Sequence, residues 1–117
     1  MMDSQKELWD NLTKENTLKE VQDYIKRVIE IRGFSEQNVE KTMLLLTEEI
    51  GELAKAIRKE KTEMSIDRNK IKNYDSVESE IADVFIVLTS LCNKLGIDLF
   101  QAIKSKEQEN INRKWTK

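Results

Sequence analysis

The chain has 117 residues, with 20 Lys and Arg against 22 Asp and Glu for a formal net charge of −2, and it contains no histidine, no proline and one cysteine. That composition excludes Ser-His-Asp and Cys-His catalysis, His-ligated zinc and an internal disulfide, and it supplies no basic surplus for stable nucleic-acid binding. Three glycines beside 36% charged and 38% hydrophobic residues are too few turn formers for an all-β sandwich and describe one helix-rich domain over residues 1–117. No apolar run approaches the ~18 residues of a membrane span, and the single Cys92 fits a reducing compartment. A cytoplasmic protein away from membranes is expected.

In chain order, residues 1–16 read as an N-terminal arm or short helix, with Ser4 and Glu7 spaced to cap a segment carrying Leu8, Trp9 and Leu12. Thr17-Leu18-Lys19-Glu20 is a capping box ahead of Leu18, Val21, Ile25, Val28 and Ile29, and Gly33 can close that helix in a left-handed cap. The next helix is expected from about Ser35 to Glu60, with an apolar stripe of Met43, Leu46, Ile50, Leu53, Ala54 and Ile57 within about 100° of arc. Residues 61–76 are polar and poorly periodic, and read as a loop. Val77, Ile81, Val84, Leu88, Leu91 and Leu95 then mark a third helix that Gly96 ends, with Cys92 on its apolar side as a small buried hydrophobe. Asp98 caps a fourth, running from Leu99 towards Trp115 with Leu99, Ala102 and Ile103 inward. The architecture expected is all-α, a four-helix-bundle-like protomer completed by dimerisation, because Leu44 and Leu45 leave a second apolar surface to cover.

The carboxylates carry the chemistry. Glu49 and Glu52 stand three apart on one helix, as do Glu80 and Asp83 on another, so each pair presents two carboxylates from neighbouring turns, with Cβ atoms about 5–6 Å apart. Relative to the apolar stripe, Glu49 lies roughly 90° round and Glu52 roughly 150°. Leu45 and Ala56 share their side of the helix, and Val87 continues the strip of Glu80 and Asp83. Acids gathered among apolar residues repel one another and call for a cation. Lysine or arginine could serve, but an all-oxygen set is what Mg²⁺ or Mn²⁺ prefers, and four carboxylates suggest two or more ions bridged by a polyphosphate. The plain alternative is a set of ordinary helix-surface acids.

On the last helix, the side begun by Leu99, Ala102 and Ile103 continues as Lys106, Asn110 and Arg113. Two cations and an amide there could meet phosphate oxygens or a nucleotide. A frayed end whose cations suit the helix dipole is the alternative.

Glu48-Glu49-x-x-Glu52, followed after 27 residues by Glu80-x-x-Asp83, resembles the signature of the MazG-like nucleotide pyrophosphohydrolases of the all-α NTP pyrophosphatase superfamily. Residues Leu44 to Lys59, the Leu95-to-Leu99 turn and the trailing Lys106, Asn110 and Arg113 carry the likeness over roughly residues 17–114. The stretch at 61–76 departs from the most compact members. The resemblance implies hydrolysis of a nucleoside triphosphate to monophosphate and pyrophosphate, clearing surplus or damaged (d)NTPs. It implies Mg²⁺ held by Glu49, Glu52, Glu80 and Asp83, and Glu48 as the acid that orients or deprotonates water. Lys106, Asn110 and Arg113 become substrate contacts, and the protein a homodimer or homotetramer. Within the same chemistry stand relatives acting on dUTP or phosphoribosyl-ATP. A non-catalytic dimeric bundle with a vestigial acidic site is the competing class, and the intact set of five acids argues against it.

Overall fold

The computed structural model describes residues 4–63 and 76–116, and every described element is helical. They are α1 (Gln5–Asp10), α2 (Leu18–Ile31), α3 (Val39–Lys61), α4 (Val77–Leu95) and α5 (Leu99–Asn110). The expected arm at 1–16 thus contains a short helix, with Ser4 Oγ accepting from the Glu7 N–H as anticipated. Most of the expected loop at 61–76 lies outside the described residues. Of its ends, Lys61 closes α3, Thr62 and Glu63 are non-helical, and Ser76 Oγ accepts from the Ser79 N–H ahead of α4.

Two compact units are present, one of residues up to Glu36 together with Cys92 onward, the other of Gln37–Leu91. The first is organised by α2. Thr17 and Glu20 form the full capping box: the Thr17 hydroxyl accepts from the Glu20 N–H at 3.1 Å, and the Thr17 N–H donates to the Glu20 carboxylate at 2.8 Å. One face of α2 buries Gln22, Ile25 and Val28. Gly33 closes the helix at φ 84°, a left-handed conformation that costs other L-residues roughly 1–2 kcal/mol. Gly96, at φ 70°, does the same after α4.

Gln22 is the polar pivot of this unit, 4% exposed with its amide fully engaged. Its Nε2 donates to Asn93 Oδ1 at 2.9 Å and to the Ile97 carbonyl at 2.7 Å, while its Oε1 accepts from the Leu99 N–H at 2.9 Å. The last turn of α4 and the first of α5 are therefore tied to the middle of α2. Lys94 adds a second tie, donating to the carbonyls of Phe34 and Ser35, each at 3.2 Å. Cys92 is buried, and desolvation pushes its thiol pKa up, which keeps it a small protonated hydrophobe.

Three boundaries and faces differ from expectation. α3 starts at Val39 rather than near Ser35, because Asn38 is the cap, its Oδ1 accepting from the Lys41 N–H at 2.8 Å. α5 ends at Asn110 rather than running on to Trp115, whose indole N–H instead donates back to the Asn110 carbonyl at 3.3 Å. The side of α5 expected to face inward is largely open: Leu99 is half-buried, while Ala102 and Ile103 are exposed.

Candidate metal centre

The buried face of α3 carries one acid, Glu49. Thr42, Leu46 and Ala56 are buried, and Leu45, Glu49 and Leu53 are half-buried. At about 100° per residue these six span roughly 60° either side of Glu49, so the acid stands at the centre of the covered face. Of the expected apolar stripe, Leu46 and Leu53 fall on this covered face, whereas Met43, Ile50 and Ile57 lie about 80–120° from Glu49 and are 48%, 50% and 40% exposed. Helix α4 repeats the arrangement. Glu80 is only 6% exposed and shares its strip with half-buried Asp83, Val84, Val87 and Leu91, whereas Ile81 and Leu88 are exposed.

These two covered strips meet. One carboxylate oxygen each from Glu49, Glu80 and Asp83 lies within 4.8 Å of the other two. Asp83 follows Glu80 by one turn of α4, and Glu49 reaches the same point from α3. At such a separation, each pair of like charges repels by roughly 3 kcal/mol at an effective dielectric of about 20. A small divalent ion suits the donor set. Ligand oxygens about 2.1 Å from one centre are themselves separated by about 3–4 Å, and three hard carboxylates favour Mg²⁺, Mn²⁺ or Ca²⁺ over softer metals.

The comparison with family models then decides the family. The model of the MazG nucleotide pyrophosphohydrolase domain matches residues 37–115, more than half of the chain. The chain belongs to the MazG nucleotide pyrophosphohydrolase family. No curated protein and no solved structure matches it. All three converging acids fall inside the MazG segment, and among the described residues no helix is long and apolar enough to cross a membrane.

The other two expected acids, Glu48 and Glu52, are not members of this group of converging carboxylates. Glu52 sits at the edge of the covered face of α3 with a side chain 53% exposed, and its carboxylate is 3.7 Å from the Lys55 ammonium. Glu48 is exposed. On α5, Lys106 pairs with Glu109 at 2.9 Å and Asn110 Nδ2 donates to Glu107 at 2.5 Å. Arg113 places its guanidinium 4.9 Å from the centre of the Trp115 ring. This last pairing was not legible in the sequence, which leaves Trp115 two roles, stacking on a base or sealing helix packing. The nearest signal was the two-residue spacing of a cation and an aromatic just past a helix end.

Proposed function

We propose that this MazG-family chain is a Mg²⁺-dependent nucleoside triphosphate pyrophosphohydrolase, which uses one water to convert a (d)NTP into the monophosphate and pyrophosphate. In this reading it works in the cytoplasm, clearing surplus or damaged nucleotides. The observation that carries the proposal is the convergence of Glu49, Glu80 and Asp83 within 4.8 Å, inside the segment that matches the family. When bound, Mg²⁺ (or Mn²⁺) supplies charge neutralisation on the phosphate chain and acidifies coordinated water. Glu49, Glu80 and Asp83 hold the cation, and Glu52 joins them by leaving Lys55, a surface pairing worth at most about 1 kcal/mol. Glu48, exposed beside Glu49 in sequence, orients the attacking water and takes its proton. Lys106 and Asn110 exchange their carboxylate partners for phosphate oxygens and the nucleotide, and Arg113 meets phosphate through the N–H edge of its guanidinium while its face stays on Trp115.

The active form is read as a homodimer, or a pair of dimers. Support comes from two exposed apolar series with seven-residue spacing: Met43, Ile50 and Ile57 on α3, and Ile81, Leu88 and Leu95 on α4. Such spacing keeps one seam along a helix and suits the packing of a second copy. The deciding experiment is pyrophosphate release from a panel of dNTPs and NTPs, dUTP included, with Mg²⁺ and then with EDTA. EDTA-sensitive release with a monophosphate product supports the reading, and the order of rates names the base. Absence of turnover on every nucleotide, phosphoribosyl-ATP included, would overturn it in favour of a bundle that binds without catalysis.

A further inference from the structure

Beyond the end of α5, the chain builds a fixed aromatic plate. Trp115 is 70% exposed, so it does not seal a core. Yet the ring is held at two points. Its indole N–H donates to the Asn110 carbonyl at 3.3 Å, an acceptor it shares with the Arg113 N–H at 3.2 Å. The Arg113 guanidinium sits over the ring, 4.9 Å from its centre, in a cation–π contact. With that face taken by Arg113 and most of the residue open, the opposite face is turned to solvent. An exposed tryptophan with free rotamers would lose entropy on stacking, and one already fixed at both its edge and its face loses little.

We infer that the open face of Trp115 is a stacking platform for the base of a nucleotide. Three features favour this class of ligand. A flat indole face accepts any base, because every base has a π-face. The Arg113 cation over the ring, with Lys114 next to Trp115 in sequence, suits a ligand whose aromatic part carries an anionic tail. The plate also follows directly on Lys106, Asn110 and Arg113, so base and phosphate contacts would come from one short stretch of chain. The assignment rests on the nucleotide chemistry proposed above, and it adds a base contact to a set that otherwise reads only phosphate. Base identity would then be set elsewhere, since stacking discriminates poorly among bases.

The test uses the full chain with Trp9→Phe, which leaves Trp115 as the single tryptophan. Its fluorescence is titrated in EDTA with nucleoside monophosphates, and with ribose 5-phosphate as the base-free control. Saturable quenching by the nucleotides, absent with ribose 5-phosphate, is the expected result. Equilibrium dialysis on the otherwise unaltered chain should then show Trp115→Phe binding within a few-fold of the parent and Trp115→Ala roughly tenfold or more weaker. Unchanged affinity in Trp115→Ala, or equal responses to nucleotide and ribose 5-phosphate, would overturn the platform. So would a failure of any nucleotide to bind. The outcomes separate the two proposals: Mg²⁺-dependent hydrolysis that survives Trp115→Ala with unchanged KM removes the platform alone, whereas base-dependent quenching in a chain without turnover removes the hydrolase alone.

Discussion

The side chains of Gln22 and Asn93 are locked together across the sequence. Gln22 Nε2 donates to Asn93 Oδ1 at 2.9 Å, and Asn93 Nδ2 donates back to the Gln22 backbone carbonyl at 3.3 Å. With Ile97 and Leu99 also bonded to the Gln22 amide, one buried residue satisfies groups that would otherwise be stranded at the α4–α5 turn. Replacement by leucine keeps the volume and strands those groups. Gln22→Leu should cost roughly 2 kcal/mol or more and lower Tm by roughly 5–10 °C. Gln22→Glu can still accept from the Leu99 N–H but can donate to neither oxygen, so it should be no better. Thermal unfolding followed by circular dichroism measures both.

At the acidic triad, removing charge should separate stability from function. Glu80→Gln relieves repulsion among three close carboxylates, so the metal-free protein should melt at or above the parent temperature. The same change should lower Mg²⁺-dependent hydrolysis by roughly two orders of magnitude or more and abolish the rise in Tm that Mg²⁺ produces. Glu52→Gln should cost less, roughly tenfold, since this carboxylate starts on the surface beside Lys55. Equal losses in the two variants would show that Glu52 is as central as Glu80.

Acid should weaken the capping box. The backbone N–H of Thr17, and after it the Thr17 hydroxyl, hold the Glu20 carboxyl below its ordinary value of 4.5. A depressed folded-state pKa contributes stability that is present above that ordinary value and lost as pH falls through the folded one. Glu20→Gln keeps an acceptor for the Thr17 N–H but not the charge. The difference in Tm between parent and variant should therefore be visible at pH 7 and shrink below about pH 4.

The exposed seams give an oligomer test. Ile50→Glu or Leu88→Glu places a charge at the middle of a seven-residue series while leaving the buried strip of its helix alone. Either should convert the proposed dimer to monomer in light scattering, with hydrolysis falling in parallel. A parent chain that is already monomeric, and active, would remove the dimer from the account.

Much of the fold could be read from local signals because those signals act locally. Thr17 with Glu20, Gly33, Gly96 and Asp98 each fix a helix end through their own backbone and near neighbours, and each stands where expected. Of the site, Glu80 and Asp83 lie together as their i, i+3 spacing suggested, and Glu49 joins them from α3 without its own i+3 partner Glu52. The orientation of α3 and α4 was harder to read. Hydrophobicity names the face that wants to be covered, without saying whether the same chain or another copy covers it. In this protein the chain covers the side bearing Glu49 and leaves Met43, Ile50 and Ile57 open. Glu52 fails to join the triad for a related reason. One further turn carries it about 60° from Glu49, to the rim, where it pairs with Lys55 three residues on. On α5, Lys106 pairs with Glu109 and Asn110 donates to Glu107, partners on their own helix that a reading of one helical side leaves out.

The boundary of the family match acquires a physical meaning from Gln22. The matched segment opens at residue 37, whereas the unit that closes the α4–α5 turn draws more than half its residues from the stretch ending at Glu36. A polypeptide trimmed to the shared segment would keep every acid of the triad and still shed Ile25, Val28 and the amide that holds Asn93 and Leu99. Its α5, which has no buried residue of its own, would be left without the partner that anchors it. Ancestry and packing thus divide this chain at different places: the stretch that records descent leaves out one side of the unit that closes the α4–α5 turn.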